Sequence, residues 1–309
     1  MKILISDKLE DEGIKIFEDN GFEVIKKFTI TKEDLKKEIA EYDGIVIRSR
    51  TKLSSDVLEN AKKLKVIGRA GVGLDNVDLQ KAAEMNIKVF NTPEAPAVSV
   101  AELALGLMLS LARKISHADR TMHQGKWNKN DYLGYTLEGK KLGLVGFGNT
   151  AKHLAKIAVT MGMKVGVYSR FSRGRAAIEE AKEIGCSIYS SIDDLLKEAQ
   201  VISLHLPATP ETENLLNSNR IKMMRKDAIL INTARGDLID EKALLEALKN
   251  KYIAGAALDV YREEPLKDQE LIDWDENLVL TPHIASQSIE NQTAAATMIA
   301  EKISNYLKQ

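Results

Sequence analysis

Short apolar runs alternate along the chain with longer stretches in which hydrophobic side chains recur every three or four positions among charges. The runs Lys2 to Ser6, Phe22 to Ile25, Gly44 to Arg48, Lys65 to Gly68 and Ile87 to Phe90 predict strands, and the amphipathic stretches between them predict helices. Alternation of this kind builds a parallel sheet covered on both faces, because each crossover lays a helix against the strands. A long helical segment follows, from about Val98 to Gln124. Its most apolar part, Leu103 to Ala112, is interrupted by Ser110, bounded by Glu102 and Arg113 and too short to span a bilayer, so it predicts a buried helix.

A second alternating series then predicts strands at Leu142 to Val145, Lys164 to Tyr168, Ser187 to Tyr189, Val201 to Leu206, Ala228 to Asn232, Ile253 to Asp259 and Leu278 to Thr281. The last segment, Ser288 to Leu307, reads as a helix through Ile289, Ala294, Met298, Ile299, Ile303 and Leu307, and is expected to pack back on the first series. The expected fold is α/β, with two doubly wound parallel-sheet domains.

A length of 309 residues suits two such cores. The formal net charge of −1 argues against a nucleic-acid or anionic-membrane partner and leaves a small-molecule substrate as the expected one. The single cysteine, Cys186, excludes an internal disulfide framework, and Ile184-Gly185-Cys186-Ser187-Ile188 reads as the start of a buried strand. Met1-Lys-Ile-Leu-Ile-Ser6 is a strand-length apolar run followed at once by charges rather than a secretory signal, so a cytoplasmic location is expected. The histidines His117, His123, His153, His205 and His283 show no close ligand spacing, and no metal is expected.

Chemistry first appears at Lys141-Leu-Gly-Leu-Val-Gly-Phe-Gly-Asn-Thr-Ala151, an apolar strand running into a Gly146-x-Gly148-x-x-Ala151 turn and then a helix. That arrangement holds a dinucleotide pyrophosphate. Gly146 permits the tight turn, Gly148 leaves no side chain between backbone and phosphate, and Ala151 lets the helix pack closely on the strand. Phe147, Asn149 and Thr150 join these glycines as candidate cofactor contacts.

Ligands of an open parallel sheet bind beyond the carboxyl ends of its strands. Arg48-Ser49-Arg50 and Arg69-Ala-Gly-Val-Gly73 follow strands of the first series, and Arg235, Asp259, Glu264 and His283 follow strands of the second. A dinucleotide fold suggests hydride transfer, which at a carbonyl needs a proton donor for the oxygen and a cation for an adjacent carboxylate. His283 is the natural acid/base, Glu264 a candidate partner for its ring, and Arg235 a planar fork that matches a carboxylate. Taken singly, the three also read as a capping histidine, a solvated turn glutamate and a surface ion-pair arginine. Three successive late strands ending in Arg, Asp/Glu and His favour a site.

The segments Asn232-Thr-Ala-Arg-Gly-Asp-Leu-Ile-Asp240, Ala257-Leu-Asp-Val-Tyr-Arg-Glu-Glu-Pro265 and Leu280-Thr-Pro-His-Ile-Ala285 resemble the three signatures of the D-isomer-specific 2-hydroxyacid dehydrogenases, over essentially the whole chain. The resemblance implies that Arg235 binds and polarises the substrate, Glu264 supports the histidine and His283 exchanges the proton, with Asp259 near the nicotinamide. It implies a flavodoxin-like substrate domain over residues 1–98, completed by the C-terminal helix 286–309. It further implies a Rossmann dinucleotide-binding domain over residues 99–285, whose helices after Val98 form the dimerisation arm of a homodimer. Within the family, Val46-Ile-Arg-Ser-Arg-Thr51 and Gly68-Arg-Ala-Gly-Val-Gly-Leu-Asp-Asn-Val-Asp78 are similar to the branch that acts on 3-phosphoglycerate and 3-phosphohydroxypyruvate in serine biosynthesis, and a short form of it without a regulatory domain is expected. Arg48 and Arg50 would then suit a substrate phosphate, and Gly71, Val72 and Gly73 would offer backbone N–H groups to the carboxylate. Glu94-Ala-Pro-Ala97 departs from the more usual Gly-containing turn after Asn91-Thr-Pro93.

An NAD-specific site carries Asp or Glu at the end of its second strand, whereas this chain has Ser169-Arg170. With Ser172, Arg173 and Arg175 close behind, NADP(H) is expected to be accepted and preferred over NAD(H). The alternative is a basic solvated turn in an NAD enzyme. NADPH use would favour a glyoxylate/hydroxypyruvate reductase over phosphoglycerate oxidation. His205 and Pro207, after a strand, either line the nucleotide pocket or pack at the strand end, and Thr233 and Ala234 complete the candidate cofactor contacts. A more distant alternative is a dinucleotide-sensing corepressor that keeps the fold without the reaction.

Overall fold

The computed structural model describes residues 1–95, 97–170 and 174–309, which form two compact units, Met1–Pro96 with Ser286–Gln309, and Ala97–Ala285. Ser172 and Arg173, both expected at the cofactor, lie outside the described residues.

The first unit is a five-stranded parallel sheet of β1 (Lys2–Ile5), β2 (Glu23–Lys26), β3 (Gly44–Ile47), β4 (Val66–Arg69) and β5 (Lys88–Asn91), ordered β2-β1-β3-β4-β5. This is the flavodoxin-like order. The period of two along each strand divides the core between the faces. Ile3, Ile5, Val46 and Val66 pack on one side, and Leu4, Ile45, Ile47 and Ile67 on the other. The C-terminal helix Ile289–Leu307 closes the first of these faces against the helix Asp11–Asp19 through Ala296, Ile299 and Ile303. Gly13 makes that contact possible, since a Cβ there would lie 2.6 Å from the Ala296 carbonyl oxygen.

The second unit holds seven parallel strands: β6 (Lys141–Val145), β7 (Lys164–Tyr168), β8 (Ser187–Tyr189), β9 (Val201–Leu204), β10 (Ile229–Asn232), β11 (Gly255–Leu258) and β12 (Leu278–Leu280). Their order, β12-β11-β10-β9-β6-β7-β8, is the Rossmann order with one further edge strand, and it reverses between β6 and β9. β9, β10 and β11 are buried throughout, which is why their sequences are unbroken apolar runs. Cys186 is buried just before β8, and burial pushes its thiol up to about 11.

The segment expected as one helix from Val98 to Gln124 is two, Ala97–Ala112 and Ile115–His123. The Tyr135 N–H donates to the Ala112 carbonyl at 3.0 Å, and Lys114 turns left-handed at φ 53°. A helix carbonyl taken by a distant loop leaves the next turn without its partner. Among the described residues, no helix is long and apolar enough to cross a membrane, and no group of three or more His, Cys, Asp or Glu residues could hold a metal ion.

Candidate active site

The carboxyl ends of β10, β11 and β12 carry three loops of the second unit that lock into one another. After β10, the buried Asn232 side chain donates to the Arg235 carbonyl at 2.8 Å and accepts the Ala234 N–H at 3.1 Å, so the strand's last residue shapes the turn that presents Arg235. The Arg235 guanidinium is half-buried and Nη1 donates to the Ala234 carbonyl at 2.7 Å. The next residue, Gly236, lies against the loop after β11, and a Cβ there would stand 2.0 Å from the Tyr261 carbonyl carbon.

After β11, the Tyr261 N–H donates to Glu264 Oε1 at 3.1 Å, fixing one carboxylate oxygen. The other, Oε2, accepts from His283 Nδ1 at 2.7 Å. With Nδ1–H donated to a carboxylate, the neutral imidazole keeps its lone pair on Nε2, and the ring stands about half exposed at 48%. The Tyr261 hydroxyl, buried, donates across to the Thr281 carbonyl at 2.8 Å and ties the loops after β11 and β12 together.

His283 itself has φ 54°, a left-handed backbone that a histidine adopts at a cost of roughly 1 kcal/mol or more. Asp259 holds it there. This fully buried carboxylate accepts from the Thr281 hydroxyl at 2.6 Å and the Ile284 N–H at 2.8 Å through Oδ1, and from the Ala285 N–H at 2.9 Å through Oδ2. Asp259, expected near the nicotinamide, thus spends both oxygens on the turn that bears His283. Glu264 and His283 are brought into contact. Arg235 is linked to them through the Gly236–Tyr261 backbone approach.

At the dinucleotide turn, Gly146 has φ 103° and no room for a side chain, because a Cβ would meet the His205 carbonyl oxygen at 2.4 Å. Gly148 is the opposite case: a Cβ there would meet nothing within 4 Å. It stands at the N-cap of the helix Asn149–Thr160 with no side chain bonded to the first turn, which leaves the helix amino end open to an anion. Phe147 lies 5.8 Å from Lys152 Nζ by ring centroid, and Thr150 is half-buried in the first helical turn. His205 Nε2 is 2.9 Å from the Ser203 hydroxyl, and burial pulls its ring down to about 4, so it stays neutral. The Pro207 carbonyl accepts the Thr212 hydroxyl at 2.7 Å. The Thr233 hydroxyl is buried with no hydrogen-bond partner among the described residues. Ser169 is half-buried and Arg170 exposed beyond β7. The Glu211 carboxyl is held below its ordinary range first by the Thr209 hydroxyl and in smaller part by the Arg170 charge.

In the first unit the two expected phosphate arginines part ways. The Arg50 guanidinium turns into its own fold: Nε pairs with Asp7 Oδ1 at 3.0 Å, Nη1 donates to the Ile30 carbonyl at 3.1 Å, and Nη2 to the Ser6 carbonyl and the Thr51 hydroxyl. Four of its N–H groups are thus used within the unit. Arg48 Nη1 stands 4.0 Å from Glu10 Oε2, at the outer limit of an ion pair. Gly71 has φ 140°, and a Cβ there would fall 1.4 Å from Arg69 Nη1, so the Arg69 side chain lies directly over it. Asn91 Nδ2 holds the Val72 carbonyl at 2.6 Å and the Thr92 N–H holds that of Gly71 at 2.8 Å. Among the described residues, the N–H groups of Gly71, Val72 and Gly73 donate to no protein acceptor, which suits an anion.

Asn232, Tyr261 and Thr281 shape the site and were not among the expected residues. Their signal was adjacency, since each lies in one of the three quoted segments, but neither hydroxyl nor amide marks its role in a sequence.

A family model described as D-isomer specific 2-hydroxyacid dehydrogenase, NAD binding domain, matches residues 105–285. Over 308 residues, all of this chain, the sequence is 44% identical to a D-3-phosphoglycerate dehydrogenase of Methanocaldococcus jannaschii, of which it covers 58%. It is 41% identical over 305 residues to a hydroxypyruvate reductase of Thermotoga maritima, covering 98% of this chain and 97% of that protein. Among solved structures, an NADPH-dependent glyoxylate/hydroxypyruvate reductase from Sinorhizobium meliloti, in complex with citrate, matches with a TM-score of 0.87 at 25% identity over 100% of this chain and 95% of that one. The chain spans about half the length, 48–58%, of the first phosphoglycerate dehydrogenases it matches.

Proposed function

The chain belongs to the D-isomer-specific 2-hydroxyacid dehydrogenase family, and on that premise we propose that it transfers a hydride between a nicotinamide dinucleotide and C2 of a D-2-hydroxy acid, with 3-phosphoglycerate/3-phosphohydroxypyruvate as the substrate pair. The observation that carries this reading is the 2.7 Å contact between Glu264 Oε2 and His283 Nδ1.

The pair sets a proton on a defined atom. Glu264 accepts Nδ1–H in both states: in reduction the imidazolium gives its Nε2 proton to the keto oxygen and becomes neutral, and in oxidation the neutral Nε2 takes the proton from the hydroxyl. Arg235 pairs with the substrate carboxylate, and its charge draws electron density from the carbonyl. Asp259 is a positioning residue through its grip on the His283 turn.

The residues of the second unit fit a dinucleotide. The open space over Gly148, the uncapped helix amino end at Asn149 and Thr150, and the buried, unpartnered Thr233 hydroxyl are three polar or vacant features with no internal use. When bound, the nicotinamide supplies the hydride donor and acceptor. Phe147, His205, Pro207 and Ala234 complete the walls. Arg170 at the end of β7, where an acidic side chain would repel a 2′-phosphate, supports NADP(H) as the preferred cofactor, with Ser169 beside it.

For the substrate, Arg48 is the phosphate ligand and the 71–73 backbone the carboxylate ligand of the first unit. Arg48→Ala should raise KM for 3-phosphohydroxypyruvate about tenfold or more and leave glyoxylate unchanged. Arg50→Ala should leave both KM values alone and instead lower stability by about 1 kcal/mol or more, because it removes the cation from buried Asp7, whose carboxylate keeps the Arg48 and Thr51 N–H groups and the Thr51 hydroxyl. Steady-state kinetics and denaturant melts separate the two. A second reading, an NADPH-dependent hydroxypyruvate or glyoxylate reductase, is favoured by Arg170 and by the internal engagement of Arg50, which leaves fewer cations for a phosphate. Equal kcat/KM for phosphohydroxypyruvate and hydroxypyruvate would establish that reading over the first.

The helices after Ala97 carry Ile115, Met122, Trp127 and Leu133 as exposed apolar side chains, the last two 80% and 85% exposed. We assign this face to a homodimer interface. The single buried thiol of Cys186 fits a cytoplasmic enzyme.

A further inference from the structure

β10 and β11 are each four residues long, so roughly 13 Å separates the two ends of these strands. Their carboxyl ends bear Arg235 and Glu264. Their amino ends, with that of β12, floor a separate cavity of about 560 Å³ in the same unit. Lys226 precedes β10, Ile253 and Ala254 precede β11, and Glu276 and Asn277 precede β12. The helix Ile115–His123 forms the opposite wall and is braced there by the Thr121–Tyr132 hydroxyl contact and by the His117 and Tyr132 rings, 5.7 Å apart edge to face.

The charge of this cavity is lopsided. Four lysines, Lys114, Lys126, Lys226 and Lys251, come from four separate chain segments, with His117 beside them, against the carboxylates of Asp131 and Glu276 alone. Lys251 stands 3.9 Å from Glu276, and Lys114 donates to the Asp131 carbonyl rather than to its carboxylate. Among the described residues, Lys126 and Lys226 have no ion-pair partner. Like charges from distant segments repel when brought around one hollow, so the arrangement lowers its energy when an anion enters. Ammonium groups act as point charges and suit the dense charge of a phosphate, whereas the forked guanidinium that favours a carboxylate is not among the lining groups. The volume lies in the range of small-molecule sites and exceeds what a bare phosphate fills.

We propose that this cavity binds a small phosphorylated anion, at a second site on the opposite strand ends from the proposed reaction. The occupant's phosphoryl group pairs with Lys126 and Lys226 and its body lies along the floor at Ala254 and Asn277.

Isothermal calorimetry of the full chain with pyrophosphate as probe tests this, with NADPH present in excess to fill the dinucleotide turn. In an Arg48→Gln background, which removes the proposed substrate phosphate ligand, the expected result is one pyrophosphate per chain, bound at least tenfold more weakly once Lys126→Gln/Lys226→Gln is added. Both lysines are exposed, so the double variant should melt at the wild-type temperature without the anion. Equal binding with and without the two lysine substitutions, or no binding in either case, would overturn the site. Citrate binding as tight as that of pyrophosphate would overturn the assignment to a phosphoryl group.

Discussion

Gly236 is the residue on which the proposed chemistry turns at the smallest scale. Its α-carbon touches the backbone of Tyr261, and Tyr261 in turn fixes Glu264 by its N–H and Thr281 by its hydroxyl. An added methyl meets carbonyl atoms rather than a side chain that can swing away. Gly236→Ala should therefore cost more than about 3 kcal/mol of stability, or keep the fold only by displacing Arg235 and lowering kcat/KM at least a hundredfold. A melt and a rate on the same sample check it. The candidate side chains Arg235, Glu264 and His283 could be picked out in the sequence because each follows an apolar strand at the end where a parallel sheet binds ligands. Arg50 was not. Its use depends on β1 lying beside β3, which brings Asp7 and Ser6 to it, and no local pattern encodes which strands are neighbours.

At the scale of the element, the turn between β6 and its helix makes two opposite demands on two glycines. Gly146 is needed for the backbone, by its φ of 103° and its approach to His205, while Gly148 is needed only for what comes to rest above it. Gly148→Val should leave the melting temperature nearly unchanged and raise the dinucleotide Kd tenfold or more, whereas Gly146→Val should lower stability itself. Fluorescence titration with NADPH alongside a thermal melt separates the effects. Strands were the most readable elements, since burial on both faces demands unbroken apolar runs, and the differences are confined to their ends. The expected strand Val201 to Leu206 stops at Leu204. The break at Lys114 went unseen because its cause, Tyr135 capping the Ala112 carbonyl, lies in a later loop.

At the scale of the whole molecule, both chain ends build one unit and the middle builds the other, so the C-terminal helix completes the core that Met1 begins. The apolar spacing of the last helix predicts its buried face, while the pairing of that face with the first core followed from the family resemblance. The exposed Trp127 and Leu133 belong to the face on which the proposed homodimer rests. Trp127→Glu with Leu133→Glu should halve the molar mass measured by light scattering and leave the secondary structure intact.

The central claim is that an imidazole oriented by Glu264 exchanges the substrate proton while a nicotinamide exchanges the hydride. It is tested most directly by the consumption of NADPH and NADH with 3-phosphohydroxypyruvate, hydroxypyruvate and glyoxylate, in the wild type and in His283→Gln. The wild type should turn over, fastest with NADPH and the phosphorylated keto acid, and the variant should lose about a hundredfold or more in kcat with dinucleotide binding retained. Turnover of none of the three acids with either cofactor, or a His283→Gln enzyme as fast as the wild type, would contradict it.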